Sequence, residues 1–148
     1  MTSFFPDLNV WIALSVAAHS HNAEAWNWLT LLPGEARLVF CRYTQVGLLR
    51  LLTSAAVMGE QTLMLRQAWK VYDRWLNDPR VEFHPESRDL EAAFRKATAP
   101  FAAQRASKWV GDCYLLAYAS ASQASLVTFD KGLLDLARRH GYAALTPA

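Results

Sequence analysis

Apolar runs of four to six residues alternate along this chain with longer stretches of helical spacing, and that alternation organises everything else. SFFP near the N-terminus reads as a short strand ending at Pro6, and a helix follows from about Leu8 to Ala17. HNAEAWNWLTLL carries apolar residues at Ala25, Trp28, Leu29 and Leu32 and stops at the breaker Pro33-Gly34. ARLVFC predicts a second strand. Thr44 is placed to cap the helix behind it, which presents Val46, Leu48, Leu49, Leu51 and Leu52. The longest helical pattern runs from Glu60 to Asn77 and closes at Asp78-Pro79. VEFH predicts a third strand, followed by a helix from about Asp89 to Ala97, and TAPFAAQRAS is the least regular stretch. A helix from Trp109 to Ser120 with Ser107 as its cap, a strand SLVTF, a helix GLLDLARRHG ending at Gly141 and a possible edge strand YAALT complete the chain.

Short apolar strands alternating with helices indicate βαβ units and a mainly parallel sheet covered by helices on both faces. The expectation is one α/β domain spanning residues 1–148, with no internal repeat or linker. The 148 residues suffice for a real core; 53% are apolar and 19% charged, which excludes a disordered chain. The net charge of +2 permits a polyanionic partner without requiring one. Cys41 and Cys113 lie inside apolar segments and read as buried thiols. The longest apolar run, VWIALSVAA, is far short of the ~20 residues that span a bilayer, so a cytoplasmic protein is expected.

In a sheet of this kind, sites form beyond the carboxyl ends of the strands. Asp7 follows the first strand, Thr44-Gln45 the second and Asp130 the fourth, while Asp112 lies in the first turns of an otherwise apolar helix. Carboxylates that converge repel one another unless a cation joins them or one takes a proton. An oxygen-rich set suits Mg²⁺ or Mn²⁺, which can activate a water and stabilise a leaving oxygen in phosphodiester hydrolysis. Each acid has a plainer reading beside this one. Asp7 and Asp130 can simply cap helices, and Lys108 can pair with Asp112 four residues on, although that order is the weaker one.

FPDLNVWIAL, YTQVGLLRLLT, DCYLLAYA and LVTFDKGLL, in this order and spacing, resemble PIN-domain ribonucleases of the VapC toxin type over essentially the whole chain. The resemblance implies a PIN-like three-layer α/β/α fold with a sheet of four to five strands. It implies the toxin of a type II toxin–antitoxin system: an Mg²⁺- or Mn²⁺-dependent endoribonuclease, homodimeric, held in check by a cognate VapB-type antitoxin. Carried over by position, Asp7, Asp112 and Asp130 match the acidic metal site, and Asn9 and Thr128 match polar positions beside it. Where the family often has Glu, this chain has Gln45, which removes one formal charge but keeps a carbonyl oxygen able to coordinate weakly. The implied chemistry is attack by an activated water, leaving a 5′-phosphate.

Other residues have lesser claims. Arg50 beyond Gln45 either touches phosphate, holds an acid of the site or stands solvated, and Arg105 and Lys108 before the Asp112 helix either contact an RNA backbone or stand solvated. Arg42, Lys131 and Arg138-Arg139 carry the same two readings. The His19–His21 pair lacks a third metal ligand in register. Trp26, Trp69 and Trp75 read as core or interface, and the Glu60–Asn77 helix as part of a groove for an antitoxin segment. Two rival functions remain at this level: a nuclease fold weakened at Gln45 that only binds RNA or antitoxin, and an Asp-dependent phosphoryl-transfer domain, against which Asp7-Leu8-Asn9 in place of a DxD start counts.

Overall fold

The computed structural model describes residues 2–148. Five short strands are paired in the order β3-β2-β1-β4-β5, every pair parallel. They are β1 (Ser3–Pro6), β2 (Arg37–Phe40), β3 (Val81–Phe83), β4 (Ser125–Val127) and β5 (Ala144–Leu145), the last an edge strand as its sequence suggests. Helices α1 (Leu8–Ser15) and α2 (Asn22–Leu31) connect β1 to β2; α3 (Arg42–Leu52), α4 (Ala55–Met58) and α5 (Leu65–Leu76) connect β2 to β3. Helices α6 (Leu90–Thr98) and α7 (Ser107–Ala121) carry the chain from β3 back across to β4, and α8 (Lys131–Arg139) leads to β5.

Period-two alternation along the strands divides the apolar residues between two cores. Phe4, Leu38, Phe40, Val81 and Val127 face α1, α2, α3 and α5, with Trp11, Trp28, Leu48 and Tyr72. Phe5, Val39, Cys41 and Leu126 face α6, α7 and α8, with Leu116, Tyr118 and Leu133. The result is three layers, helices–sheet–helices. Because β1 leads outward to β2 and β3 while β4 and β5 lie on its other side, the strand order reverses between β1 and β4. Their carboxyl ends flank the crevice where such sheets place their sites.

Four boundaries depart from the sequence pattern, each for a local reason. The single helix expected over 60–77 is broken. Gly59 adopts φ +55, a 3₁₀ turn spans Gly59–Gln61, and α5 begins only at Leu65, where Gln67 Oε1 accepts from the Met64 N–H at 2.8 Å. Thr44 does not cap α3 from outside. The helix starts at Arg42, and Thr44 Oγ1 reaches back to accept from the Cys41 N–H at 3.1 Å, the inner half of a capping box. Ser107 is the first residue of α7 rather than its cap, which is Ala106. The irregular stretch before α7 contains a 3₁₀ turn at Ala99–Phe101.

Trp11 anchors the first core: fully buried, it stacks on Phe40 at 3.9 Å and meets Trp75 edge-on at 5.5 Å. Its indole N–H has no hydrogen-bond partner. An unsatisfied buried donor offsets part of what the ring contributes. Trp11→Ala is expected to cost about 3–5 kcal/mol in urea unfolding, and Trp11→Phe about 1–2 kcal/mol, because it keeps a stacking ring and removes the orphan donor.

Candidate active site at the carboxyl ends of β1 and β4

Asp7 is the first residue beyond β1. Its backbone N–H continues the ladder to Val127 O at 2.8 Å, which fixes it at the carboxyl edge of the two central strands. As the N-cap of α1, its Oδ1 accepts from the Leu8 N–H at 2.6 Å. Its Oδ2 accepts from the Thr128 hydroxyl at 2.9 Å. With 9% of its surface exposed, the carboxyl is held above its ordinary proton affinity, first by burial and last by the nearby charge of Asp130; the bonds from Thr128 and Leu8 pull the other way.

Asp130 caps α8, its Oδ1 accepting from the Leu133 N–H at 3.1 Å. Its own N–H donates to Thr128 Oγ1 at 3.0 Å, and its side chain is exposed. Both caps therefore exist, and they leave the carboxylates at one end of the sheet. A capping role and a site role are compatible, because a cap uses only one carboxylate oxygen.

Asp112 is half-buried on α7 and makes no ion pair or side-chain hydrogen bond among the described residues. Burial raises its proton affinity most, followed by the charges of Asp130 and Asp7. Lys108 does not neutralise it: the ammonium sits 4.9 Å from the Trp109 ring centroid. Asp7 thus senses the charge of Asp130, and Asp112 the charges of both, with no ion pair to any of the three among the described residues.

Asn9 and Thr128 tie the acids together. Asn9 Nδ2 donates to Thr128 Oγ1 at 3.2 Å, and Asn9 Oδ1 accepts from the Phe129 N–H at 3.2 Å. Gln45 is buried, but its Oε1 accepts from the Arg42 guanidinium, which lies over the Phe83 ring at 4.5 Å. The side-chain partner of Gln45 is therefore Arg42, on the β3 side, and not one of the three acids. Thr44 is fully buried in the turn at the start of α3. Arg50 is exposed in the last turn of α3, about 7.5 Å further along the helix axis than Gln45. Arg105 and Lys108 are exposed at the start of α7, near the acidic end of that helix. His21, set aside in the sequence, stacks on Phe129, the residue between Thr128 and Asp130. Only the fold could reveal that contact, because 108 positions separate the two rings.

A half-buried and a buried acid with raised proton affinity, beside a third that is exposed, form a donor set suited to a hard divalent cation. Among the described residues no three acidic, imidazole or thiol groups form a preassembled cage. The acids thus lie at the switch point of a parallel sheet, where folds of this kind place their ligands. The sequence profile of the PIN domain family matches residues 4–139, and the chain belongs to that family.

It is similar to Ribonuclease VapC41 of Mycobacterium tuberculosis, 37% identical over 128 residues that cover 84% of this chain and 86% of the relative. Its fold is that of a chain in the crystal structure of VapBC2 from Rickettsia felis bound to a DNA fragment from their promoter. The TM-score is 0.70 at 14% identity, covering 99% of this chain and 100% of that one. VapBC-1 from nontypeable Haemophilus influenzae matches with a TM-score of 0.68 at 16% identity, covering 98% of both chains.

Because Asp7 and Asp112 bind protons more tightly than their ordinary value of 3.8, folding favours their protonated forms. Their contribution to stability is fully present below that value and lost as pH rises through the raised ones. In metal-free buffer, Asp112→Asn is expected to melt a few degrees above the wild type at neutral pH. The two proteins should converge as the pH falls toward 4, a difference read by thermal unfolding across a pH series.

Proposed function

We propose that this chain is the toxin component of a type II toxin–antitoxin system, an Mg²⁺- or Mn²⁺-dependent endoribonuclease acting as a single PIN-like domain over residues 1–148. The observation that carries the reading is the trio Asp7, Asp112 and Asp130 at the switch point, in which Asp130 raises the proton affinity of both others and no ion pair to the three is found among the described residues, in a chain of the PIN family. Its similarity to a VapC ribonuclease supports RNA as the substrate.

Asp7 and Asp112 would hold the cation, with Asp130 completing or orienting the set. A bound divalent ion supplies Lewis acidity at the phosphoryl group and a more acidic water. The chain's own work is positional. Asp7 keeps one carboxylate oxygen on the α1 cap and the other on Thr128, so its orientation is fixed before any ligand arrives. Asn9 and Thr128 hold the Asp7–Asp130 spacing, and Thr44 fixes the start of α3, where Gln45 forms a neutral corner. Arg105 and Lys108 are placed to meet the RNA backbone without reading sequence, and Arg50 takes at most a peripheral part in this. The products are a 5′-phosphate and a free 3′-hydroxyl.

The structures of VapBC assemblies, matched in fold, support a cognate VapB-type antitoxin as partner. A groove of about 310 Å³ lined by Leu14, Trp26, Val71, Arg74 and Trp75 between α1, α2 and α5 suits an amphipathic antitoxin segment. A homodimer in the cytoplasm completes the reading; no helix among the described residues is long and apolar enough to cross a membrane.

Purified wild type with Mg²⁺ is expected to cleave single-stranded RNA to products with 5′-phosphate ends. EDTA should abolish cleavage, and Asp7→Asn should lower it by roughly a hundredfold or more. Cleavage that survives EDTA would sink this reading. Gln45→Glu is expected to tighten Mg²⁺ binding in calorimetric titration, and more so when Arg42→Ala removes the guanidinium that would pair with the new carboxylate. Unchanged affinity in both reduces the set to three acids and leaves Gln45 to packing.

A further inference from the structure

We infer that His21 is a substrate-contacting residue, whose imidazole, clamped on Phe129 beside the acids, accepts a hydrogen bond from a nucleotide flanking the cleaved bond. This rests on the ribonuclease reading above and adds to it a residue outside the acidic set.

His21 stands at the N-cap of α2, where Ser, Thr, Asp or Asn is the usual choice, and its side chain makes no capping bond. The ring is committed elsewhere. It lies flat on the Phe129 ring, with centroids 4.3 Å apart and planes 10° from parallel. Its Nδ1 is 3.0 Å from Glu24 Oε2. A carboxylate can only accept, so Nδ1 carries the proton there, and in the neutral ring Nε2 keeps its lone pair. Nε2 has no partner among the described residues, and the side chain is 45% exposed. The backbone is fixed as well, since the His21 N–H donates to His19 Nδ1 at 3.0 Å.

Phe129 is itself held in register with the acids. Its N–H is bound by Asn9, its preceding neighbour Thr128 donates to Asp7, and its following neighbour is Asp130. The imidazole is therefore oriented by a carboxylate and by a stack on the residue that directly precedes Asp130 in the chain, with an acceptor nitrogen left open. Such an arrangement loses little side-chain entropy on binding, which is what a recognition contact needs. If anchoring α2 to the β4–α8 connection were the only purpose, an apolar ring would serve without a nitrogen or its carboxylate partner.

The donor that this nitrogen takes is an N–H of a base edge or a ribose 2′-hydroxyl. The same RNA oligonucleotide with single base changes, and with single 2′-deoxy substitutions, separates the two. In steady-state cleavage with Mg²⁺, His21→Ala and His21→Phe are both expected to raise KM roughly fivefold to tenfold with kcat little changed. His21→Gln, which keeps an acceptor, is expected to recover part of the loss. One class of modified substrate should be handled no better by wild type than by His21→Phe.

A His21→Phe enzyme with wild-type KM overturns the inference, since the stack alone then suffices. So does a loss confined to kcat or to Mg²⁺ affinity, which would mean that the ring acts only by bracing the acids. If the wild type binds the oligonucleotide but does not cleave it, the ribonuclease reading fails and the same variants are compared by Kd in fluorescence anisotropy. Absence of RNA binding overturns both.

Discussion

A single hydroxyl organises the acidic end of this fold. Thr128 Oγ1, fully buried, accepts from Asn9 Nδ2 at 3.2 Å and from the Asp130 N–H at 3.0 Å, which occupies both of its lone pairs. Its one proton then goes to Asp7 Oδ2, 2.9 Å away, and the direction of that bond is determined. One atom thus joins the end of β1, the first turn of α1, the end of β4 and the cap of α8. Replacing it with a methyl group would leave an amide and a backbone N–H without their acceptor, in a place where water does not easily reach.

The same bond sets the balance of charge. Burial resists ionisation of Asp7, and the hydroxyl and the Leu8 N–H oppose that resistance without overcoming it. Asp112 has no such help. Burial and like charge therefore work against ionisation of Asp7 and Asp112 at one end of the sheet, whereas elsewhere the Arg80–Asp78 pair holds the Asp78 carboxyl below its usual range. The crevice thus combines stabilising hydrogen bonds with carboxylates that no ion pair among the described residues offsets. This distribution is expected where charge is to be compensated by a ligand rather than by the fold.

Much of this was legible in the sequence, and what was not follows a pattern. Strands and helices came from periodicity, and Asp7 and Asp130 could be placed because a residue directly after a strand has little freedom of position. Asp112 was noticeable as an acid in an apolar helix. The longest helical pattern misled because hydrophobic spacing in 60–77 continues through a segment that Gly59 and the Met64 cap interrupt, and periodicity does not register a positive φ. Thr44 reads as an outer cap because Thr in that place usually is one; the reversed bond to Cys41 depends on where the preceding strand ends. Contacts between distant segments, such as His21 with Phe129 or Asn9 with Thr128, have no local signature at all.

Gln45 shows how one neutral residue alters its surroundings. Were it an acid, the Arg42 guanidinium on its oxygen would be neutralised in a local ion pair. With an amide, the hydrogen bond remains but the positive charge does not cancel, and it is held in place by the Phe83 ring beneath it. A fixed guanidinium at the start of α3 adds positive potential on the β2–β3 side of the sheet, while the carboxylates lie at β1, β4 and α7. For a polyanion approaching the carboxyl end of the sheet, the loss of one negative charge and the exposure of one positive charge act in the same direction. An amide at position 45 therefore leaves the Arg42 charge uncompensated at the start of α3.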